Sequence, residues 1–261
     1  MKQRTLTGVV LALLSMVLLG CFHLPWVPQL IAILLGCGAV WEILGANGIR
    51  NKGSYAAGLF LAVIIPLFSL TEKVWWMAAA LVLGLGFFTY LMTRIGKQAP
   101  AWVAAPEIVL ALSLYRGLAC YGEIPHGAFF LCLTGLICAL TDIFAYLVGS
   151  RFGRRKLAPK DSPGKSIEGA LGGLGITVVL IVLVFGRFFD DIGTLVLYTA
   201  VVSILGQFGD LSMSAVKRVA GVKDFGHIFP GHGGILDRCD SLMYPLAFTW
   251  LLYCAQIWIF V

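Results

Sequence analysis

Charge is scarce in this chain of 261 residues: 19 Lys or Arg and 13 Asp or Glu make up only 12% of it. A soluble globular domain carries roughly a quarter of its residues as charges, so that class is excluded. The seven cysteines, Cys21, Cys37, Cys120, Cys132, Cys138, Cys239 and Cys254, include no C-x-x-C pair and sit mostly in apolar runs. They read as small packing residues, which excludes a disulfide framework and a zinc site. No internal repeat or low-complexity segment is visible. The basic, apolar opening with Lys2 and Arg4 has no A-x-A cleavage site ahead of Pro25, so it reads as an uncleaved first span. A basic stripe on a soluble fold, the footprint of a nucleic-acid binder, is also missing. The net charge of +6 therefore points to anionic lipid head groups or phosphorylated substrates.

What the chain has instead is apolar length, with 59% hydrophobic residues and a mean hydropathy of +0.92. Apolar runs lie at about 6 to 22, 28 to 46, 56 to 71, 74 to 93, 101 to 119, 127 to 148, 170 to 186, 193 to 209 and 241 to 260. At about 20 residues per span, nine spans use roughly 180 positions and leave no room for a separate soluble domain. The expected fold is an all-α, polytopic integral membrane protein of about nine transmembrane helices. It is read as one domain over 1–261, with N-terminal spans in 1–120 and the spans and loops that carry chemistry in 121–261.

Lys and Arg on alternate loops test orientation, because the side rich in them faces the cytoplasm. With the N-terminus inside, the inner side holds sixteen of them and the outer side only Lys73, Arg116 and Arg187. The N-terminus is thus expected in the cytoplasm and the C-terminus outside.

Half of the 32 charges fall in two short stretches, 151–168 and 210–240, both assigned to the cytoplasmic face. On a helix continuing past Asp210, the residues Asp210, Ser214, Lys217 and Arg218 share one face. Asp237 and Asp240 share another if the last span begins early. Between the two sets lie Gly231, His232, Gly233 and Gly234, which allow close backbone approach. Carboxylates at helix ends, a glycine turn and several cations suit a metal and phosphate site. Asp142 sits about two turns below the cytoplasmic end of its span, where an ionisable group is a functional candidate, with Tyr146 on the same face; a charge partner for a loop cation is the other reading of Asp142. Glu42 lies one turn from a helix end and is read as reaching the interface, and Glu107 carries less weight.

The run S-x-x-K-R-x-x-x-x-K-D at Ser214, Lys217, Arg218, Lys223 and Asp224, followed by P-G-H-G-G-x-x-D-R-x-D from Pro230 to Asp240, resembles the signature of the phosphatidate cytidylyltransferases. Asp142, Ala145, Tyr146 and Gly149, then Lys156, Leu157 and Pro159, then Ser162-Pro163-Gly164-Lys165-Ser166 with Glu168-Gly169, resemble a second block of that family. The strong resemblance covers 142–241. Upstream it is limited to several spans and Trp41-Glu42.

The resemblance implies transfer of a cytidylyl group from CTP to phosphatidate, giving CDP-diacylglycerol and pyrophosphate at the cytoplasmic face of a bacterial inner membrane. The lipid phosphate is already an anion, so the chemistry asks for positive charge and in-line positioning rather than a general base. Asp210 and Asp237, with the Ser214 hydroxyl, are the expected ligands of Mg²⁺ in a paired-cation centre whose second ion is one such as K⁺. Lys165, Lys217, Arg218, Lys223 and Arg238 are expected to cradle the phosphates. Asp224 and Asp240 either join the site or hold Lys223 and Arg238, and His232 bonds a phosphate or shapes the turn. Ser162, Ser166 and the loop backbone are the possibilities for reading cytosine. Arg151, Arg154, Arg155 and Lys156 mark orientation. The family also implies a homodimer. A polyprenyl or ether-lipid acceptor is the alternative substrate. A transporter is disfavoured, because the polar groups collect at one face and not at the midplane.

Overall fold

The computed structural model describes residues 17, 20, 21, 24, 26–67, 104–122, 126–229 and 233–254. The expected first span and the span at 74 to 93 fall almost wholly outside these residues, as does His232. The described helices are α1 (Trp26–Ala46), α2 (Lys52–Leu67), α3 (Ala104–Cys120), α4 (Gly127–Phe152), α5 (Ile167–Phe185), α6 (Ile192–Val219), the short α7 (Leu236–Cys239) and α8 (Met243–Cys254). Four of them, α1, α4, α5 with its 3-10 extension and α6, are long and apolar enough to cross a membrane. The protein is mostly helical, with one correction to an all-α fold: β1 (Lys156–Ala158) and β2 (Ser162–Ser166) pair as an antiparallel hairpin.

Local chemistry sets the helix ends. The Asp191 carboxylate caps α6, accepting the N–H groups of Gly193 and Thr194 at 3.0 Å each. At the other end Val222 N–H reaches Lys217 C=O at 3.0 Å and Gly221 N–H reaches Arg218 C=O at 3.2 Å, with Gly221 at φ 72°. That pattern is a Schellman stop, and a residue with a side chain is strained at its positive φ. With 28 residues, α6 is about 42 Å long. Its apolar part from Ile192 is long enough to cross a bilayer core of about 30 Å by the turn that reaches Asp210, which leaves the last turns beyond the length that a span needs.

Burial is reversed relative to a soluble bundle. On α5 the buried residues are Gly169, Gly173, Thr177 and Ile181 at every fourth position, whereas Leu171, Val179, Leu183 and Val184 are exposed. An apolar outer face and a small, polar inner stripe suit a helix packed in lipid, where close backbone approach and hydroxyl bonds replace the hydrophobic drive. Thr134 and Tyr198 share a hydrogen bond of 2.7 Å, Tyr198 and Thr249 one of 2.9 Å, and Thr141 donates to Ser203 at 2.9 Å. These bonds tie α4, α6 and α8. One apolar core joins α1, α2 and α3 to the ends of α6 and α8, and a second lies among α3, α4, α5, α6 and α8.

Alternate ends of the helices meet in two separate groups. The ring of Phe129 lies 6.1 Å from that of Phe185 and 6.5 Å from that of Phe189, where α4 begins and α5 ends. At the other end the last turn of α1, the hairpin after α4, the last turns of α6 and the segment before α8 come together. Among the described residues, Lys165, Asp210, Lys217, Asp237 and Asp240 all sit there.

Candidate functional site

The hairpin is built to present Lys165. Its strands are short and β2 contains Pro163 and Gly164, poor strand formers, so tertiary contacts must hold it. The Glu168 carboxylate accepts the N–H groups of Arg154 at 3.0 Å and Arg155 at 3.1 Å, closing the base of the hairpin. The Ser166 hydroxyl caps α5 by accepting the Gly169 N–H at 3.1 Å. A Cβ on Gly169 would lie 2.6 Å from Ala145 C=O, so α5 packs directly against the α4 backbone. Between these anchors Lys165 reaches across to α6 and pairs with Asp210. Glu168→Ala is expected to speed amide exchange at Arg154 and Arg155, measured by hydrogen–deuterium exchange. Unchanged protection there would remove the clasp.

Asp210 follows the apolar part of α6 and accepts the Ser214 hydroxyl, one turn later, at 3.3 Å. Farther along, Lys217 turns away from Asp210 toward the segment before α8. Its ammonium donates to Asp237 Oδ1 at 2.9 Å, lies 3.8 Å from Asp240 Oδ2, and stands 5.7 Å over the Phe225 ring. The Lys217 side chain is 11% exposed and that of Asp237 only 3%, so this pair is desolvated. Asp237 Oδ2 also accepts the N–H groups of Phe225 and Gly234 at 2.9 Å each. Burial pushes the Asp237 carboxyl up, but the Gly234 N–H and the Lys217 ammonium outweigh it and hold the group below its ordinary value. Asp240 goes the other way: burial, and then the neighbouring Asp210, push it up to about 7.

A cavity of about 460 Å³ opens between the hairpin and α4, α5 and α6, with Asp142, Tyr146, Lys165, Gln207 and Asp210 in its lining. Two cations and a row of carboxylates thus stand beside a space large enough for a phosphorylated substrate.

A family model described as the cytidylyltransferase family matches residues 2–255. The chain belongs to that family. A phosphatidate cytidylyltransferase of Staphylococcus haemolyticus is 37% identical over 257 residues, covering 94% of this chain and 96% of that one. One of Staphylococcus epidermidis is 35% identical over 254 residues with the same coverage. One of Staphylococcus aureus is 35% identical over 257 residues, again with that coverage.

Within this cytidylyltransferase, the residues expected from the sequence separate into three groups. Asp142, Tyr146, Lys165 and Asp210 line the cavity, with Ser214 bonded to Asp210. Lys217, Asp237 and Asp240 form the adjoining ion cluster. The other described ones are placed elsewhere, and His232 lies outside the described residues. Arg218 is exposed and donates to the Asp161 and Val222 carbonyls at 3.4 and 3.5 Å, so it bridges α6 to the hairpin tip and not to Asp210. Ser162 starts β2 opposite Ala158, while Lys223 and Arg238 are exposed and Asp224 is half-buried.

One residue of this site, Gln207, was not singled out from the sequence, and a second, Glu42, was noted there without this role. Gln207 lies one turn before Asp210, lines the cavity and donates to the Ala170 carbonyl at 3.3 Å. Its signal was a lone amide in an apolar span. Glu42, expected at the interface, is instead buried against residues 235 and 236. Glu107 is buried on α3 and accepts Asn47 Nδ2 at 3.3 Å. Among the described residues, no three His, Cys, Asp or Glu side chains converge as a metal cluster. The hard oxygens of Asp210 and Ser214 fit Mg²⁺, which needs only one or two carboxylates beside phosphate and water. Asp237 has one oxygen committed to backbone amides and the other facing Lys217.

Proposed function

We infer that this chain is a phosphatidate cytidylyltransferase, transferring the cytidylyl group of CTP to phosphatidate and releasing pyrophosphate. The observation that carries this is the pairing of Lys165 with Asp210 at the wall of a cavity, next to the buried Lys217–Asp237 pair, on a chain homologous throughout to enzymes of that name.

An oxygen of the lipid phosphate attacks the α-phosphorus of CTP. The bond from that phosphorus to the oxygen bridging to the β-phosphate breaks, and pyrophosphate leaves with the electron pair. Both reactants are anions, so the protein's task is to neutralise and align them. Lys165, at the cavity wall, and Lys217, beside it, supply fixed positive charge, with Lys223, Arg218 and Arg238 at the exposed rim. Asp210 with Ser214, and Asp237 through Oδ1, are the groups that would hold Mg²⁺, accompanied by a second cation such as K⁺. That metal supplies charge stabilisation on phosphate oxygens. Asp142 and Tyr146, on the cavity wall toward the membrane, contact the lipid substrate. Asp224, Asp240 and His232 complete the substrate-binding set from the loop. The sixteen-to-three bias of Lys and Arg supports about nine spans with the N-terminus and the site in the cytoplasm. The staphylococcal relatives support a bacterial inner membrane, and a homodimer rests on the family resemblance alone.

Purified protein is expected to convert radiolabelled CTP to labelled CDP-diacylglycerol only when both phosphatidate and Mg²⁺ are present. Polyprenyl phosphate and an ether analogue of phosphatidate serve as competing acceptors. Label appearing preferentially on polyprenyl phosphate, or on none of the acceptors, would overturn the assignment.

A further inference from the structure

We propose that Glu42 is a positioning residue, whose carboxylate on α1 fixes the turn that presents Asp237 to Lys217. It rests on the reading above for its activity arm and on geometry for the rest. Glu42 is 3% exposed and is not among the residues that line the cavity. Its two oxygens accept the N–H groups of Ile235 at 2.8 Å and Leu236 at 3.0 Å. These N–H groups lie at the start of α7, the short helix that carries Asp237, where a helix supplies no acceptor of its own.

The loop is shaped around this carboxylate. A Cβ on Gly226 would lie 2.4 Å from Glu42 Oε1, and one on Gly234 would lie 2.3 Å from it. Glycine at both places leaves room for an acid that comes from almost two hundred residues away in sequence. Together Glu42 and Asp237 take four backbone donors: Phe225 and Gly234 go to Asp237 Oδ2, and Ile235 and Leu236 go to Glu42. Successive N–H groups of this kind attract an anion. With Glu42 present, the second pair is satisfied and Asp237 Oδ1 is left for Lys217. Without it, the nearest carboxylate to the orphaned N–H groups is Asp237 itself, which is drawn off Lys217.

The test compares wild type with Glu42→Gln and, independently, Gly226→Ala, which keeps the acid but crowds it. Hydrogen–deuterium exchange over residues 233–240 is expected to accelerate in both, on the order of tenfold or more, as for loss of a hydrogen bond to a charged group. Turnover per folded molecule is expected to fall roughly 10- to 100-fold in kcat, with little change in KM for CTP and a higher Mg²⁺ concentration at half-maximal rate. The double variant should lose less than the product of the single losses, because both act on one contact. A passive packing role would lower the yield of folded protein and leave kcat per folded molecule unchanged. That result, or wild-type exchange over 233–240 in Glu42→Gln, overturns the proposal. If wild type fails to use CTP and phosphatidate, the enzymatic reading falls, and the exchange measurement still decides whether Glu42 anchors the turn.

Discussion

Asp237→Ala is expected to abolish cytidylyl transfer and to lower the thermal unfolding midpoint of the detergent-solubilised protein at the same time. The substitution strands the Lys217 ammonium and leaves the N–H groups of Phe225 and Gly234 without their acceptor. Breaking a buried ion pair by deleting one partner costs about 3–5 kcal/mol, mostly because the remaining charge is left desolvated. Asp237→Asn separates the two effects. Its side-chain oxygen still accepts both backbone donors, while its amide group has no charge to offer Lys217. Stability is expected to fall less than in the alanine variant, and activity to fall as far. Near-normal turnover by Asp237→Asn would remove the carboxylate charge from the mechanism. Acid should mimic the asparagine. The folded-state carboxyl is held below its ordinary value, so its stabilisation is complete above that ordinary value and is lost as pH falls through the lowered one.

The parts of this molecule legible in the sequence are those set by local pattern. Uninterrupted apolar length marked runs that coincide with most of α1, α4, α5 and α6, because a chain in lipid must satisfy its own backbone along each span. In so apolar a chain a cluster of ions has few reasons to exist, so 210–240 stood out as a site. Partners across long separations were not legible. Helical spacing put Lys217 and Arg218 with Asp210, yet Lys217 turns to Asp237 and Arg218 to the Asp161 carbonyl, since spacing sets the face a side chain leaves from and the segments packed against that face supply its partner. The hairpin was hidden because β2 carries Pro163 and Gly164 and the pair is held by Glu168, not by strand propensity. Glu42 was hidden for a related reason. A carboxylate near a helix end ordinarily reaches water, and only the fold brings Gly226 and Gly234 around it.

Asp210→Asn should show the opposite balance from Asp237: a large kinetic loss on an intact fold. Asp210 and Lys165 are each more than a quarter exposed at the side chain and face the cavity. A solvated pair contributes little to stability, so the unfolding midpoint is expected to stay close to wild type. The kinetic effect is expected to be large because the carboxylate pairs with Lys165, accepts the Ser214 hydroxyl and is the group proposed to hold Mg²⁺. Removing one preorganised electrostatic group from such a site costs on the order of 10²–10³-fold in kcat. Lys165→Met tests the same pair from the hairpin side. If the two residues act as a unit, the double variant is no slower than the slower single variant, as for other groups whose roles depend on each other. Losses that multiply would mean that Lys165 binds phosphate independently of Asp210. A normal rate in Asp210→Asn with Mg²⁺ saturating would move the catalytic centre to the Lys217–Asp237–Asp240 cluster alone.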